Sequence, residues 1–199
     1  MTESEPTEAA RAADLAAEWL RRAQAGDEAA FGELVKANYE RVFRRVTAIV
    51  RNEHDARDVC QEVWVAVWKN LRDYRGDAKF STWLYAVATR RAIDHARKQQ
   101  RWFARFLPFL ANETTGEIIE PASTAPGPRD DLEGSERAAR FERAIAALPP
   151  KLRAVLTMRE IEGLAYEEIA QQLACRPGTV MSRLFNARRS LAQKIGELP

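Results

Sequence analysis

The sequence predicts an all-α protein built as two small helical domains joined by a flexible linker. Three observations carry this expectation. Apolar residues recur at three- and four-residue steps along nearly the whole chain, as one buried face of a helix requires. One stretch, Ala111 to Ser135, loses that period and is rich in Pro, Gly, Ser and Thr. No run alternates apolar and polar residues as a half-buried strand does. The 199 residues suffice for one large domain or two small ones, and 46% hydrophobic with 30% charged residues suits a packed chain.

In order, Leu15, Trp19 and Leu20 begin the first apolar stripe, and Gly26-Asp27 breaks it with Asp27 as N-cap of the next helix. That helix is long: Phe31, Leu34, Val35, Tyr39, Val42, Phe43, Val46, Ile49 and Val50 share one side. A third helix is expected from near Asp55, with Val59, Cys60, Val63, Trp64, Val67, Trp68 and Leu71 facing inward. Tyr74-Arg-Gly-Asp77 interrupts the period and reads as a loop. A fourth helix is expected to start with Ser81 or Thr82 as cap and to bury Trp83, Leu84, Val87, Ala88, Ala92 and Ile93.

The spacer that follows carries Glu113, Glu117, Glu120, Asp130, Asp131 and Glu133 against Arg129, so proline and self-repulsion should extend it. Helical signal returns at Arg137 with Phe141, Ile145 and Leu148, stops at Pro149-Pro150, and restarts through Leu152, Val155, Leu156 and Ile161. Gly163 ends that helix, and a short one spans Tyr166 to Ala174. The expected division is a tail over 1–14, a first domain over 15–105, a linker over 106–135 and a second domain over 136–199.

Charge separates the classes of partner. The net charge is only +2. Yet Arg90, Arg91, Arg97, Lys98, Arg101 and Arg105 face a single acid, Asp94, and Ile169 to Gly196 holds five bases and no acid. Two basic blocks in a nearly neutral chain suit two contacts with one polyanion. No apolar run approaches the roughly 20 residues of a membrane span, so no membrane insertion is expected. The acidic MTESEPTEAARAAD lacks the features of a signal peptide, and a cytoplasmic location is the expectation. Cys60 and Cys175 are expected as reduced thiols. His54, Cys60, His95 and Cys175 do not have metal-ligand spacing, and neither a phosphate-binding glycine loop nor a nucleophile motif appears; no cofactor, metal or catalytic residue is expected.

The C-terminal block has the most specific pattern. Tyr166 to Ala174 directs Ile169, Ala170 and Leu173 to a core. Cys175-Arg-Pro-Gly178 is the expected turn, and Thr179 the expected cap of a second helix that buries Val180, Leu184, Ala187 and Leu191. This is a helix-turn-helix, whose second helix enters the DNA major groove by its N-terminal end. Arg176, Thr179, Met181, Ser182, Arg183, Phe185, Asn186, Arg188 and Arg189 are left outward. Arg, Ser and Asn reach base edges or phosphates, and an aromatic ring packs on a thymine methyl.

Here the sequence resembles a known family. LPPKLRAVLTMREIEGLAYEEIA (148–170) followed by GTVMSRLFNAR (178–188) is similar to the sigma-four domain of bacterial sigma factors. DARDVCQEVW (55–64) and YRGDAKFSTWLY (74–85) resemble the sigma-two domain. The short two-domain layout is that of the extracytoplasmic-function (ECF) group, and the likeness runs from about Leu15 to Ile195. It implies a protein without catalysis of its own that binds core RNA polymerase and directs it to a two-part promoter in a stress or envelope response.

The resemblance also assigns roles. Asp58, Gln61 and Glu62 would dock on the basic coiled coil of the beta-prime clamp, with opposite charge aiding register. The sigma-four domain would meet the beta flap. Tyr74, Phe80, Trp83 and Tyr85 with Arg90, Arg91, Arg97 and Lys98 would hold the melted minus-ten element by stacking and phosphate contacts, although Trp83 suits a core role equally well. Arg176, Thr179, Ser182, Arg183, Phe185, Asn186, Arg188 and Arg189 would read the minus-thirty-five element. An anti-sigma factor is a further partner of this group. The apolar run Arg101 to Leu110 would serve a partner or pack back on the first domain, with Pro108 interrupting it. The competing function is a stand-alone helix-turn-helix regulator, which leaves the acidic patch and the aromatic loop without a purpose.

Four residues depart from the family pattern. An acid commonly stands where this chain has Arg57, asparagine often stands at Arg90, and basic residues often occupy Met181 and Asn186. Fewer bases on the reading helix should give a shallower salt dependence. Replacing Met181 and Asn186 together with arginine is expected to steepen the slope of log affinity against log salt, by up to about two. An unchanged slope with an unchanged preferred sequence would show that neither position meets DNA.

Overall fold

The computed structural model describes the backbone over residues 8–113 and 132–197, and side chains over 14–105 and 138–196. Among the described residues every regular element is helical. The first group comprises α1 (Glu8–Gln24), α2 (Glu28–Val50), α3 (Glu53–Asn70) and α4 (Phe80–Glu113). The second comprises α5 (Leu132–Ala146), α6 (Pro150–Leu156), α7 (Tyr166–Gln172) and α8 (Pro177–Glu197).

In the first group α2, α3 and α4 close around Val42, Val46, Ile49, Val59, Cys60, Val63, Val67, Leu84, Ala88 and Ala92, which is the face the periodicity predicts. Burial pushes the Cys60 thiol up to about 11, so it is an inert core group. Helix α1 packs at one end, where Ala23, Ala30, Leu34 and Leu71 meet Trp19 and Leu20. Asp27 caps α2 as expected, accepting from the Ala30 N–H at 3.1 Å.

Other boundaries move. The cap of α3 is Asn52, which accepts from the Asp55 N–H at 3.0 Å, so the helix begins two residues before Asp55. Arg51 holds the left-handed corner between α2 and α3 at φ 69°. Helix α4 starts at Phe80, ahead of Ser81 and Thr82, and runs through Pro108 to Glu113. The apolar run from Arg101 is therefore helical, and the expected interruption at Pro108 is overruled. Of the expected linker 106–135, residues 114–131 lie outside the described residues.

In the second group α6 widens into a single π-helical turn over Thr157–Ile161, where the Glu162 N–H donates to the Thr157 carbonyl five residues back. Gly163 at φ 68° then reverses the chain. Helices α7 and α8 bury Ile169, Ala170, Val180 and Leu184 against Val155 and Met158. The turn between them departs from expectation. Ala174, not Gly178, takes the left-handed conformation, at φ 48°. Helix α8 begins at Pro177, whose fixed φ suits a first helical position, so Gly178 and Thr179 lie inside its first turn and Thr179 is not the cap.

The two groups meet along a seam. Ala154 of α6 belongs to the core of the first group, and Leu173 packs against both cores. Across this seam lies Arg45 of α2, only 4% exposed. Its Nε donates to Glu162 Oε1 at 2.7 Å and its Nη2 to Glu162 Oε2. Nη1 donates to Gln172 Oε1 at 2.6 Å and to Thr89 Oγ1 at 3.3 Å, and the guanidinium stacks 4.5 Å above the Tyr85 ring. A second buried arginine, Arg153 of α6, donates to the Ile49 carbonyl of α2 at 2.6 Å and to the carbonyls of Ala146 and Leu148. Ile49 lies in the last turn of α2, where carbonyls lack helical partners. Burial lowers the Arg153 guanidinium to about 10, so it stays charged at neutral pH. Arg51 adds an ion pair to Glu142 of α5.

Candidate nucleic-acid interface

Helix α8, the expected reading helix, is built as the sequence requires on its inner side and is modified on its outer side. Val180, Leu184 and Ala187 are buried, fixing which face of α8 points outward. Arg176, Met181, Ser182, Phe185, Asn186, Arg188 and Arg189 are exposed, and Thr179 and Arg183 are half-buried. Phe185 is 64% exposed and Met181, one turn earlier, 52%, so an apolar strip runs between the arginines. Such a strip meets thymine methyls in a major groove.

Two of the arginines are held in place. Arg183 Nη1 donates to Cys175 Sγ at 3.8 Å, tying the helix to its turn. Arg188 Nη2 donates to Glu160 Oε1 at 2.6 Å, and that carboxylate holds the guanidinium above its ordinary pKa. From Pro177 to Gly196 α8 contains no acid, but the π-helical turn supplies one in space.

At the other end of the chain, Tyr74, Phe80 and Trp83 form one aromatic cluster with ring centroids 5.3 to 6.0 Å apart. Gly76 at φ 81° turns the loop so that the Tyr74 hydroxyl donates to the Ala78 carbonyl at 2.5 Å. Gln24 Nε2 braces the loop from α1 by donating to the Tyr74 carbonyl at 2.8 Å. Burial first, and Asp77 second, raise the Tyr74 phenol above its usual value. All three rings are half-buried, and Phe80 and Trp83 also rest on the core, so the cluster is at once wall and platform. Arg90, Arg91, Arg97 and Lys98 follow on exposed positions of α4.

Tyr85, grouped with this cluster in sequence, is elsewhere. Its ring lies beneath Arg45 at the seam, and its hydroxyl is buried with no hydrogen-bond partner. A step of two residues from Trp83 turns it about 200° around the helix, which separates neighbours in sequence onto opposite sides of α4.

The third surface is the outer face of α3. Asp58, Gln61 and Glu62 are exposed, and Glu62 has Arg91 Nη1 3.9 Å away. Val65, one turn on and 53% exposed, continues the same row; sequence reasoning overlooked it because a valine among core valines looks like core. Arg57 pairs with Glu53 on its own helix at 2.5 Å. Among the described residues no group of His, Cys, Asp or Glu is arranged to hold a metal ion, and no helix is long and apolar enough to cross a membrane.

Comparison with known proteins decides what these surfaces belong to. Residues 34–102 match the protein family described as Sigma-70 region 2, and residues 138–191 match Sigma-70, region 4. The RNA polymerase sigma-H factor of Pseudomonas aeruginosa is 34% identical over 185 residues, covering 90% of this chain and 93% of that protein. The chain belongs to the ECF family of RNA polymerase sigma factors. The ECF RNA polymerase sigma-E factor of Escherichia coli is 33% identical over 183 residues, covering 90% of this chain and 93% of that one. Among solved structures, CnrH in complex with the cytosolic domain of CnrY shares the fold at TM-score 0.60 and 21% identity, covering 90% of this chain and 96% of that one. RpoE of Bartonella quintana, in complex with the anti-sigma factor NepR, does so at 0.55 and 18%, covering 85% and 98%.

As a sigma factor, this protein binds core RNA polymerase and promoter DNA and directs transcription initiation. A stand-alone regulator accounts for only one of its two matched regions.

The Glu160–Arg188 pair gives a testable consequence for the reading helix. Glu160→Gln weakens the hold on the guanidinium and removes a negative charge beside Arg188. Affinity for a duplex carrying the minus-thirty-five element, measured at low salt, is expected to rise about two- to fivefold, with a salt slope steeper by up to about one. Unchanged affinity and slope would place Arg188 away from phosphate.

Proposed function

We propose that this sigma factor divides its work among the three surfaces described. The row Asp58, Gln61, Glu62 and Val65 on α3 docks on the basic coiled coil of the polymerase clamp, with Val65 as an apolar anchor among steering charges. The cluster Tyr74, Phe80 and Trp83, with Arg90, Arg91, Arg97 and Lys98, holds the melted minus-ten strand: rings stack on splayed bases, and guanidinium and ammonium groups meet phosphates. The outer face of α8, with Arg176, Thr179, Ser182, Arg183, Phe185, Asn186, Arg188 and Arg189, reads the minus-thirty-five element as duplex. The second helical group also meets the beta flap. Residues 15–105 and 136–199 act as the two working domains, and the protein performs no catalysis of its own, acting in the cytoplasm where polymerase and DNA are.

The observation that carries this reading is the outward direction of three separate faces of matching chemistry: acidic on α3, aromatic and basic at α4, basic with an apolar strip on α8. A stress or envelope response and control by an anti-sigma factor fit relatives named sigma-E and a neighbour solved with the anti-sigma factor NepR.

The α3 assignment is the easiest to test. Asp58→Lys with Glu62→Lys reverses two exposed charges and leaves the core intact. Core-polymerase binding is expected to fall about tenfold or more, and run-off transcription with it, while helicity and thermal stability hold. Unchanged binding would remove this face from the polymerase interface.

A further inference from the structure

The two regions that carry the family match, 34–102 and 138–191, leave out α1, and none of the three surfaces above uses it. Yet α1 ends on the loop that builds the aromatic cluster. Gln24, half-buried in its last turn, donates from Nε2 to the Leu71 carbonyl at 3.2 Å and to the Tyr74 carbonyl at 2.8 Å. A primary amide has two hydrogens, one for each carbonyl. Those carbonyls belong to the first residue of the 3-10 turn Leu71–Asp73 and to the residue that leaves it. One side chain thus spans the root of the loop and sets the direction in which the chain departs.

Residues 74–79 join that turn to α4 outside any helix. Within the loop the Tyr74 N–H donates to the Leu71 carbonyl at 3.2 Å, and the Tyr74 hydroxyl to the Ala78 carbonyl at 2.5 Å. Both bonds run through the residue that Gln24 holds. The tip, Arg75 to Asp77, is exposed, and Gly76 has open space around it, so the loop is fixed at its root and accessible at its end. The anchor is itself well tied. Gly26 at φ 99° closes α1, Arg22 Nη2 donates to Asp27 Oδ2 at 2.7 Å, and Asp27 caps α2. Beneath the loop Leu71 is buried with Ala23 of α1, and Phe80 and Trp83 pack on that same cluster. Helix α1 therefore backs the rings as well as the backbone that carries Tyr74.

We infer that Gln24 is a positioning residue for minus-ten recognition: by holding the Leu71 and Tyr74 carbonyls it fixes the Tyr74 ring where it meets the melted strand. This rests on the assignment of the aromatic cluster above. A base out of its stack is held by ring stacking, and a small misplacement of the ring is costly.

The test uses holoenzyme, the full chain with core polymerase, on DNA from a promoter at which the wild type gives a run-off transcript. Gln24→Glu keeps the shape of the side chain but turns a carboxylate, which cannot donate, toward two carbonyls. Affinity for a single-stranded oligonucleotide carrying the minus-ten element should fall about tenfold. Promoter opening, followed by 2-aminopurine fluorescence, should slow with it. Affinity for core polymerase and for the minus-thirty-five duplex should stay within about twofold, which a general loss of structure would not allow. In a Tyr74→Ala background Gln24→Glu should cost less than about twofold more, because Gln24 acts through Tyr74. If Gln24→Glu does not fold, Gln24→Met, which removes the donors without adding a charge, should shift the same readings in the same direction. Unchanged minus-ten affinity in a folded variant, equal losses on the two DNA elements, or a loss that adds to that of Tyr74→Ala would each overturn the positioning role. Tyr74→Ala alone separates this from the underlying reading. If it leaves minus-ten binding intact, the cluster is misassigned and the role of Gln24 falls with it. A loss in Tyr74→Ala with none in Gln24→Glu defeats the role of Gln24 alone.

Discussion

A guanidinium 4% exposed is the constraint around which this chain is arranged. Removing a charge from water costs several kcal/mol unless partners replace the hydration it loses. For Arg45 the first domain supplies a hydroxyl, a carbonyl and an aromatic face, but no carboxylate. The carboxylate comes from Glu162, 117 residues away. The packing of the two helical groups and the widened turn after α6 bring that carboxylate to that arginine, above the half-buried Tyr85 ring. Arg153 works the same way in reverse, reaching from the second domain to the end of α2, where the Ile49 carbonyl would otherwise lie buried and unmet.

The placement of the functional surfaces is consistent with this arrangement. The outer faces of α3 and α8 are both left open to solvent, while the inner side of α4 is used by the seam. A protein that must touch both polymerase and promoter DNA gains from presenting its outer faces on two helical groups held together largely through polar bonds. Polar seams open without leaving large apolar surfaces to aggregate. The Glu160–Arg188 pair is a local, exposed counterpart: a charge-assisted hydrogen bond that ties α8 to the widened turn after α6.

What was legible in the sequence is what depends on nearby residues. The inward faces of α2, α3, α4 and α8 follow from three- and four-residue periodicity, and Val42, Leu84, Val180 and Leu184 are buried where that period puts them. Two motif sets in the right order identified the family. Helix starts were less legible, because several residues compete for one cap: Asn52 over Asp55 and Pro177 over Thr179. The turn at Ala174 was misplaced onto Gly178, since glycine is the usual bearer of a left-handed φ and alanine is a costly one. The seam was not legible at all. Arg45 stands between Phe43 and Val46 and looks like a solvated interruption of an apolar stripe; only its partners, more than a hundred residues on, reveal it as buried. Tyr85 left its expected group for the same reason.

The most direct measurement of the central claim is a double-mutant cycle at positions 45 and 162. Chemical denaturation of the wild type, Arg45→Met, Glu162→Gln and the double variant isolates the coupling between the two side chains. If Arg45 is a buried charge that depends on Glu162, Glu162→Gln alone is strongly destabilising, and the double variant regains part of the loss. The expected coupling is about 2–4 kcal/mol. Additive losses, with coupling below about 0.5 kcal/mol, would mean that the two residues do not hold the domains together.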